Sequence, residues 1–122
     1  MSQTRFSDLS APRQALIRLF QTMNFGYIEN LHVRDHQPIY LPAPDVLVDV
    51  KLDHDEGPRP EMELDDFEVA GEVSRLLVRL DAMKDGRIDK IEVRGGLPRR
   101  VVMALPLAEP SADGGSQGLP TK

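Results

Sequence analysis

The feature that most constrains this chain is a structural phrase that recurs sixty positions further along. Gly26, Ile28, Val33, Arg34 and Pro38 are repeated as Gly86, Ile88, Val93, Arg94 and Pro98, while Glu29 matches Asp89 and Leu31 matches Ile91. Upstream, Leu16, Ile17, Phe20 and Met23 fall on Leu76, Leu77, Leu80 and Met83 in the same register. Agreement in helical spacing, glycine position and turn position marks a supersecondary unit used twice, and it predicts an internal αββ repeat with a pseudo-two-fold axis. The repetition speaks of architecture and carries no chemistry of its own.

Within each copy the local signals are consistent. Ser10 before Ala11-Pro12 fits an N-cap followed by proline in the first turn, where its missing N–H costs nothing. Leu16, Leu19, Phe20 and Met23 recur at helical spacing, with Arg13, Gln14, Arg18 and Gln21 on the wet face. Gly26 is expected to supply the left-handed helix exit. Tyr27 to Arg34 reads as a strand whose alternation breaks at Ile28, and the second copy breaks it identically at Ile88. Either a β-bulge near Glu29–Asn30 and Asp89–Lys90 lets Ile28 and Leu31 share a face, or the strand begins only near residue 30. Asp35-His36-Gln37 turns the chain into a partner strand at Pro38–Leu41, which Pro42 and Pro44 end.

Val46, Val48, Val50 and Leu52 then alternate with Leu47, Asp49 and Lys51, the pattern of a half-buried strand over 46–52. An exposed acidic loop is expected at 53–63. In the second copy Asp65 or Asp66 is placed to cap a helix whose stripe is Val69, Val73, Leu76, Leu77, Leu80 and Met83. Gly71 sits inside that stretch at a cost of about 1 kcal/mol relative to alanine. Arg87–Arg94, Gly95-Gly96 and Arg99–Leu105 complete a second hairpin.

These elements predict an α+β fold, a two-layer arrangement with an antiparallel sheet of about five strands and two helices on one face. Residues 1–105 form one domain on this reading, with copies at about 10–41 and 65–105, and 106–122 form a disordered tail rich in Pro, Gly and Ser. A chain of 122 residues without cysteine has no disulfide, thiolate nucleophile or Cys-ligated metal site, and it is long enough to bury roughly two-thirds of its surface unaided. The opening MSQTRFSDLS lacks the pattern of a secretory signal, and no apolar run nears the ~20 residues of a membrane span. A cytoplasmic protein without membrane contact is expected.

A formal charge of −5 disfavours general nucleic-acid affinity, which rests on neutralising phosphates. Charge is nonetheless uneven. Arg94, Arg99 and Arg100 crowd the second hairpin and Arg34 repeats Arg94, so a ribbon carrying these four arginines is the candidate interaction surface for phosphate or an acidic protein. The competing readings are edge charges that discourage stray strand pairing, or arginines paired with the acidic loop.

Catalytic and metal constellations are sparse. His32 and His36 lie four apart on a strand and turn, about 13 Å when extended, too far to share one ion. His54 among Asp53, Asp55 and Glu56 lacks the glycine and spacing of a calcium loop. No serine occupies a strand-to-helix elbow, and neither a phosphate-cradling lysine loop nor a dinucleotide glycine fingerprint occurs. No cofactor is expected.

The phrase Phe25-Gly26-Tyr27-Ile28-Glu29 through Val33-Arg34-Asp35, behind an amphipathic helix, resembles the small YezD-type bacterial proteins. That family implies a short helix, an aromatic-Gly-x-Ile strand and an Asp-Gly turn into a second strand. Here the turns read Asp35-His36 and Gly95-Gly96, so neither copy keeps the Asp-Gly pair. The resemblance implies a small bacterial protein and transfers no activity. The expected function is a non-catalytic module that self-associates or docks a protein. A nucleic-acid-binding hairpin is the first alternative, and a small enzyme or metal protein built on His32, His36 and His54 the second.

Overall fold

The computed structural model describes residues 4–53 and 64–104, so all but Asp53 of the expected acidic loop and the whole of the expected tail lie outside the described residues. Two helices, α1 (Ala11–Met23) and α2 (Gly71–Met83), cover one face of a five-stranded antiparallel sheet. The strands are β1 (Phe25–Arg34), β2 (Gln37–Ile39), β3 (Asp45–Val48), β4 (Gly86–Arg94) and β5 (Leu97–Met103). The α+β class and two-layer plan therefore stand as expected. The order is β2-β1-β4-β5, with β3 also pairing to β1.

β1 and β4 form the centre. Gly26 faces Val93 and Val33 faces Gly86; Ile28 faces Ile91 and Leu31 faces Ile88. Each of those correspondences becomes the other on adding sixty to one residue and subtracting sixty from its partner. Ile28, Leu31, Ile88 and Ile91 are all fully buried, which strict alternation forbids. The bulge reading resolves this. Asn30 takes φ 60, and β4 slips one residue against β5 between Ile88 and Lys90. β1 starts at Phe25, so the alternative of a later strand start falls away.

Facing these strands, Leu16, Ile17, Phe20 and Met23 of α1 and Val73, Leu76, Leu77 and Leu80 of α2 complete the core. Full burial of such a side chain contributes about 1.5–3 kcal/mol. The helix exits differ from expectation. Asn24 (φ 65) and Lys84 (φ 63), not the glycines two residues on, take the positive φ after each helix. Gly26 instead lies inside β1 at φ 152, where a Cβ would collide with the Leu47 carbonyl of β3. Glycine is required there because a neighbouring backbone passes too closely for any side chain.

The hairpins share one turn geometry. Gly95 and Gly96 have φ 62 and 76, and Asp35 and His36 adopt φ 53 and 68 without glycine's freedom. Tertiary bonds hold the first turn in place. Asp35 N–H donates to Asp85 Oδ1 at 2.8 Å, His36 N–H to the Lys84 carbonyl at 2.7 Å, and Arg13 Nη2 to the His36 carbonyl at 2.8 Å. Arg13 also pairs with Asp81 at 2.7 Å while only 11% exposed, so it is a strut between helices and not the wet-face residue its spacing implied. Gln21 likewise is buried, at 2%, accepting from Arg18 at 2.9 Å.

Two further expectations change. Asp66 does not cap α2, which begins at Gly71 after Ala70; Gly71 therefore sits in the first turn, where its helix-interior penalty does not apply. Asp66 instead anchors the N-terminal segment. It accepts from Arg5 Nε and Ser7 N–H, both at 2.8 Å, while Phe6 stacks on Phe67 at 4.8 Å and Arg18 lies over the Phe6 ring at 4.5 Å.

Candidate functional site

The four arginines singled out by sequence occupy three different places. Arg34 and Arg94 each close a central strand, and because β1 and β4 run antiparallel they sit at opposite ends of the sheet. A strand of ten residues separates those ends by roughly 30 Å. Arg100 faces Glu92 across β4 and β5, with Nε 3.5 Å from its carboxylate. Arg99 is the extra residue where β5 bulges between its pairings to Glu92 and Val93. Arg99 and Arg100 both border a recess of about 210 Å³ together with Glu72, Arg75 and Arg79 of α2. Arg75 and Arg79 complete that basic cluster and escaped the sequence reading, although their spacing of four on the wet face of α2 was visible.

Elsewhere on the open face, charges are paired among themselves. Lys90 lies 3.8 Å from Glu29 and 5.0 Å over the Tyr27 ring, and Arg87 is 3.0 Å from Asp89. Among the described residues, Arg34, Arg75, Arg79, Arg94 and Arg99 have no carboxylate within ion-pair distance.

The histidines do not converge. His32 faces Arg87 and Ile39 within the sheet, and His36 sits in the turn with Nδ1 3.4 Å from the Leu80 carbonyl. His54 lies outside the described residues. Among the described residues no group of three or more His, Asp and Glu side chains is placed to hold a metal ion.

The largest departure from the sequence reading is at β3. Alternation predicts a half-buried strand over 46–52; the structure gives Asp45–Val48 and leaves its apolar residues in solvent. Val46, Leu47, Val48, Val50 and Leu52 are 39%, 50%, 50%, 66% and 94% exposed. The cause is the break at Leu41–Pro44. Beside β4 one strand, β5, runs from Ile88 to Arg94; beside β1, prolines divide the return into β2 and β3, both paired to the same edge of β1. The helices rest on β2 and β5, and β3 projects beyond their cover.

Two sheet edges thus have opposite character. β5 presents Arg99, Arg100 and a bulge, devices that discourage a neighbouring strand. β3 presents an apolar edge with no charge between Val46 and Val48. Comparison with family models, curated proteins and solved structures found no match. Among the described residues no helix is long and apolar enough to cross a membrane.

Proposed function

We propose that this chain is a non-catalytic interaction module, self-associating or docking a protein through the exposed apolar strand at one sheet edge. The observation that carries the reading is the solvent exposure of Val46, Leu47 and Val48 on β3, and of Val50 and Leu52 just beyond it, in a stretch whose pattern is built for burial. Contiguous exposed apolar surface costs free energy unless a partner covers it. Open strand edges also recruit further strands, with main-chain hydrogen bonds giving affinity. Light scattering from low to high micromolar concentration tests the self-associating form: a mass above the monomer supports it, and a strict monomer removes it.

Two equivalent αββ units underlie the module on this reading. Support comes from helices over 11–23 and 71–83 and from the β1–β4 register. An experimental structure in which residues 25–38 fail to superpose on 85–98 would remove the repeat. A cytoplasmic, bacterial setting and kinship with the YezD-type proteins belong to the same proposal.

A second reading has its own observation. Arg75, Arg79 and Arg99 border one recess without carboxylate partners among the described residues, apart from the nearby Glu72, and they suit a phosphate-bearing ligand such as nucleic acid. Titration of duplex and single-stranded oligonucleotides tests it. Phosphate-driven binding must weaken steeply with added salt, and absence of binding at low salt ends this reading.

A further inference from the structure

The backbone phase of β3 identifies what can cover it. Asp49 donates its N–H to the Phe25 carbonyl at 2.8 Å, and Tyr27 and Leu47 stand opposite each other two residues along. In an antiparallel ladder only alternate pairs exchange hydrogen bonds, so the odd-numbered residues direct their backbone groups toward β1. Val46, Val48 and Val50 therefore turn their N–H and C=O groups away from the sheet. Beyond Asp49 the chain also overruns the start of β1 at Phe25, leaving Val50, Lys51 and Leu52 without an opposing strand there.

We propose that a second copy of this chain pairs antiparallel along that edge, about a two-fold axis at Val48; the inference rests on the self-associating reading above. In this register Val48 meets Val48 of the second copy and Val46 meets Val50, all through outward-pointing backbone groups. Asp45 then stands opposite Lys51 of the second copy, and symmetry supplies that charge pair twice. The valines fall on one side of the joined sheet and form a continuous apolar strip. Leu52 comes opposite Pro44, which has no N–H, so the ladder ends where a donor is missing. An axis between two residues would set outward backbone groups against ones already bonded to β1, while an axis on Leu47 or on Asp49 would bring carboxylates face to face, Asp45 with Asp49 or Asp49 with itself. The chain's own 54–63 is a poor occupant, since it carries four carboxylates and two prolines, Pro58 and Pro60.

Analytical ultracentrifugation of the full chain and three variants tests the proposal. Wild type sediments as a dimer. Val48→Lys is monomeric with unchanged far-UV circular dichroism, because the substituted side chain is half exposed and on an edge. Lys51→Asp sets like charges opposite each other twice and weakens the dimer by about tenfold. Adding Asp45→Lys to it restores the wild-type constant. A dimer indifferent to Val48→Lys would overturn this surface while leaving the self-associating reading in place. Failure of the double variant to recover would overturn the register. A monomeric wild type would end both ideas, and a monomer with a slowly exchanging Val48 amide would hand the edge to the chain's own segment.

Discussion

The backbone N–H of Gly96 donates to the carbonyl of Asn24 at 2.8 Å, tying the second hairpin turn to the exit of the first helix. Its counterpart runs the other way, from His36 N–H to the Lys84 carbonyl at 2.7 Å. Each helix exit is thus held by the other hairpin, so neither half completes its own backbone bonding alone. Both turns need positive φ at two successive residues, a demand glycine meets freely and other residues meet with strain.

His36→Gly should therefore stabilise the chain by about 1 kcal/mol, since φ 68 is relieved and the N–H to Lys84 is retained. Chemical denaturation checks this. A loss of stability would show that the His36 ring contact with the Leu80 carbonyl outweighs the backbone strain.

Gly26 and Gly86 share a backbone shape but not a neighbourhood. A Cβ at Gly26 meets the main chain of β3, whereas at Gly86 it meets the flexible Met83 side chain at 3.4 Å. Gly26→Ala should cost roughly 2–4 kcal/mol and detach β3, against roughly 1–2 kcal/mol for Gly86→Ala. Thermal melts, with exchange of the Asp49 amide as the reporter of β3, separate the two. Equal costs would contradict the close approach at Gly26.

Burial pushes the Tyr40 phenol up to about 12, and its hydroxyl donates to the Pro12 carbonyl at 2.8 Å. The folded chain keeps this proton where an unfolded tyrosine, near pH 10, releases it. The resulting stability is complete below about pH 10 and is lost as the pH rises through about 12. Tyr40→Phe should cost about 1 kcal/mol at neutral pH and remove that alkaline slope. Denaturation midpoints measured across the alkaline range decide it; an unchanged slope would sink the assignment.

At the acid end, the hydrogen bond from Arg5, followed by that from the Ser7 amide, lowers the Asp66 carboxyl to about 2. A depressed carboxylate stabilises the fold above the unfolded value of about 4, and the contribution disappears as pH falls toward 2. Asp66 is exposed to solvent, so salt should weaken the effect. Asp66→Asn is expected to flatten the stability profile between pH 4 and 2 and to loosen Thr4–Leu9. Tryptic cleavage after Arg5 reads the second effect, and an unaltered rate would contradict the anchor.

The elements were legible where local chemistry and tertiary context agree. Leu16, Phe20, Leu76 and Leu80 lie on helical stripes and are buried; Ile28 and Ile88 announced the bulge by breaking alternation in the same way twice. Misreadings arose where a remote contact decides. Arg13 and Gln21 carry polar groups on a predicted wet face, yet Asp81 and Arg18 give them partners that hold their side chains against the protein. Asp66 has the composition of a helix cap and is claimed by Arg5, sixty-one residues away in sequence. Gly26 answers to Leu47, a neighbour created only when β3 folds back. Of the candidate surface, the arginine types were visible, but which of them share a place depends on strand direction. The exposure of β3 was hidden for a different reason: periodicity states which residues suit burial and says nothing of whether anything covers them.

Hydrogen exchange at single-amide resolution, followed as a function of protein concentration, tests the central claim most directly. The Leu47 and Asp49 amides, directed toward β1, should be protected at every concentration. Protection at Val46, Val48 and Val50 should rise as the protein is concentrated. Fast, concentration-independent exchange at those three valines would contradict a second copy at this edge.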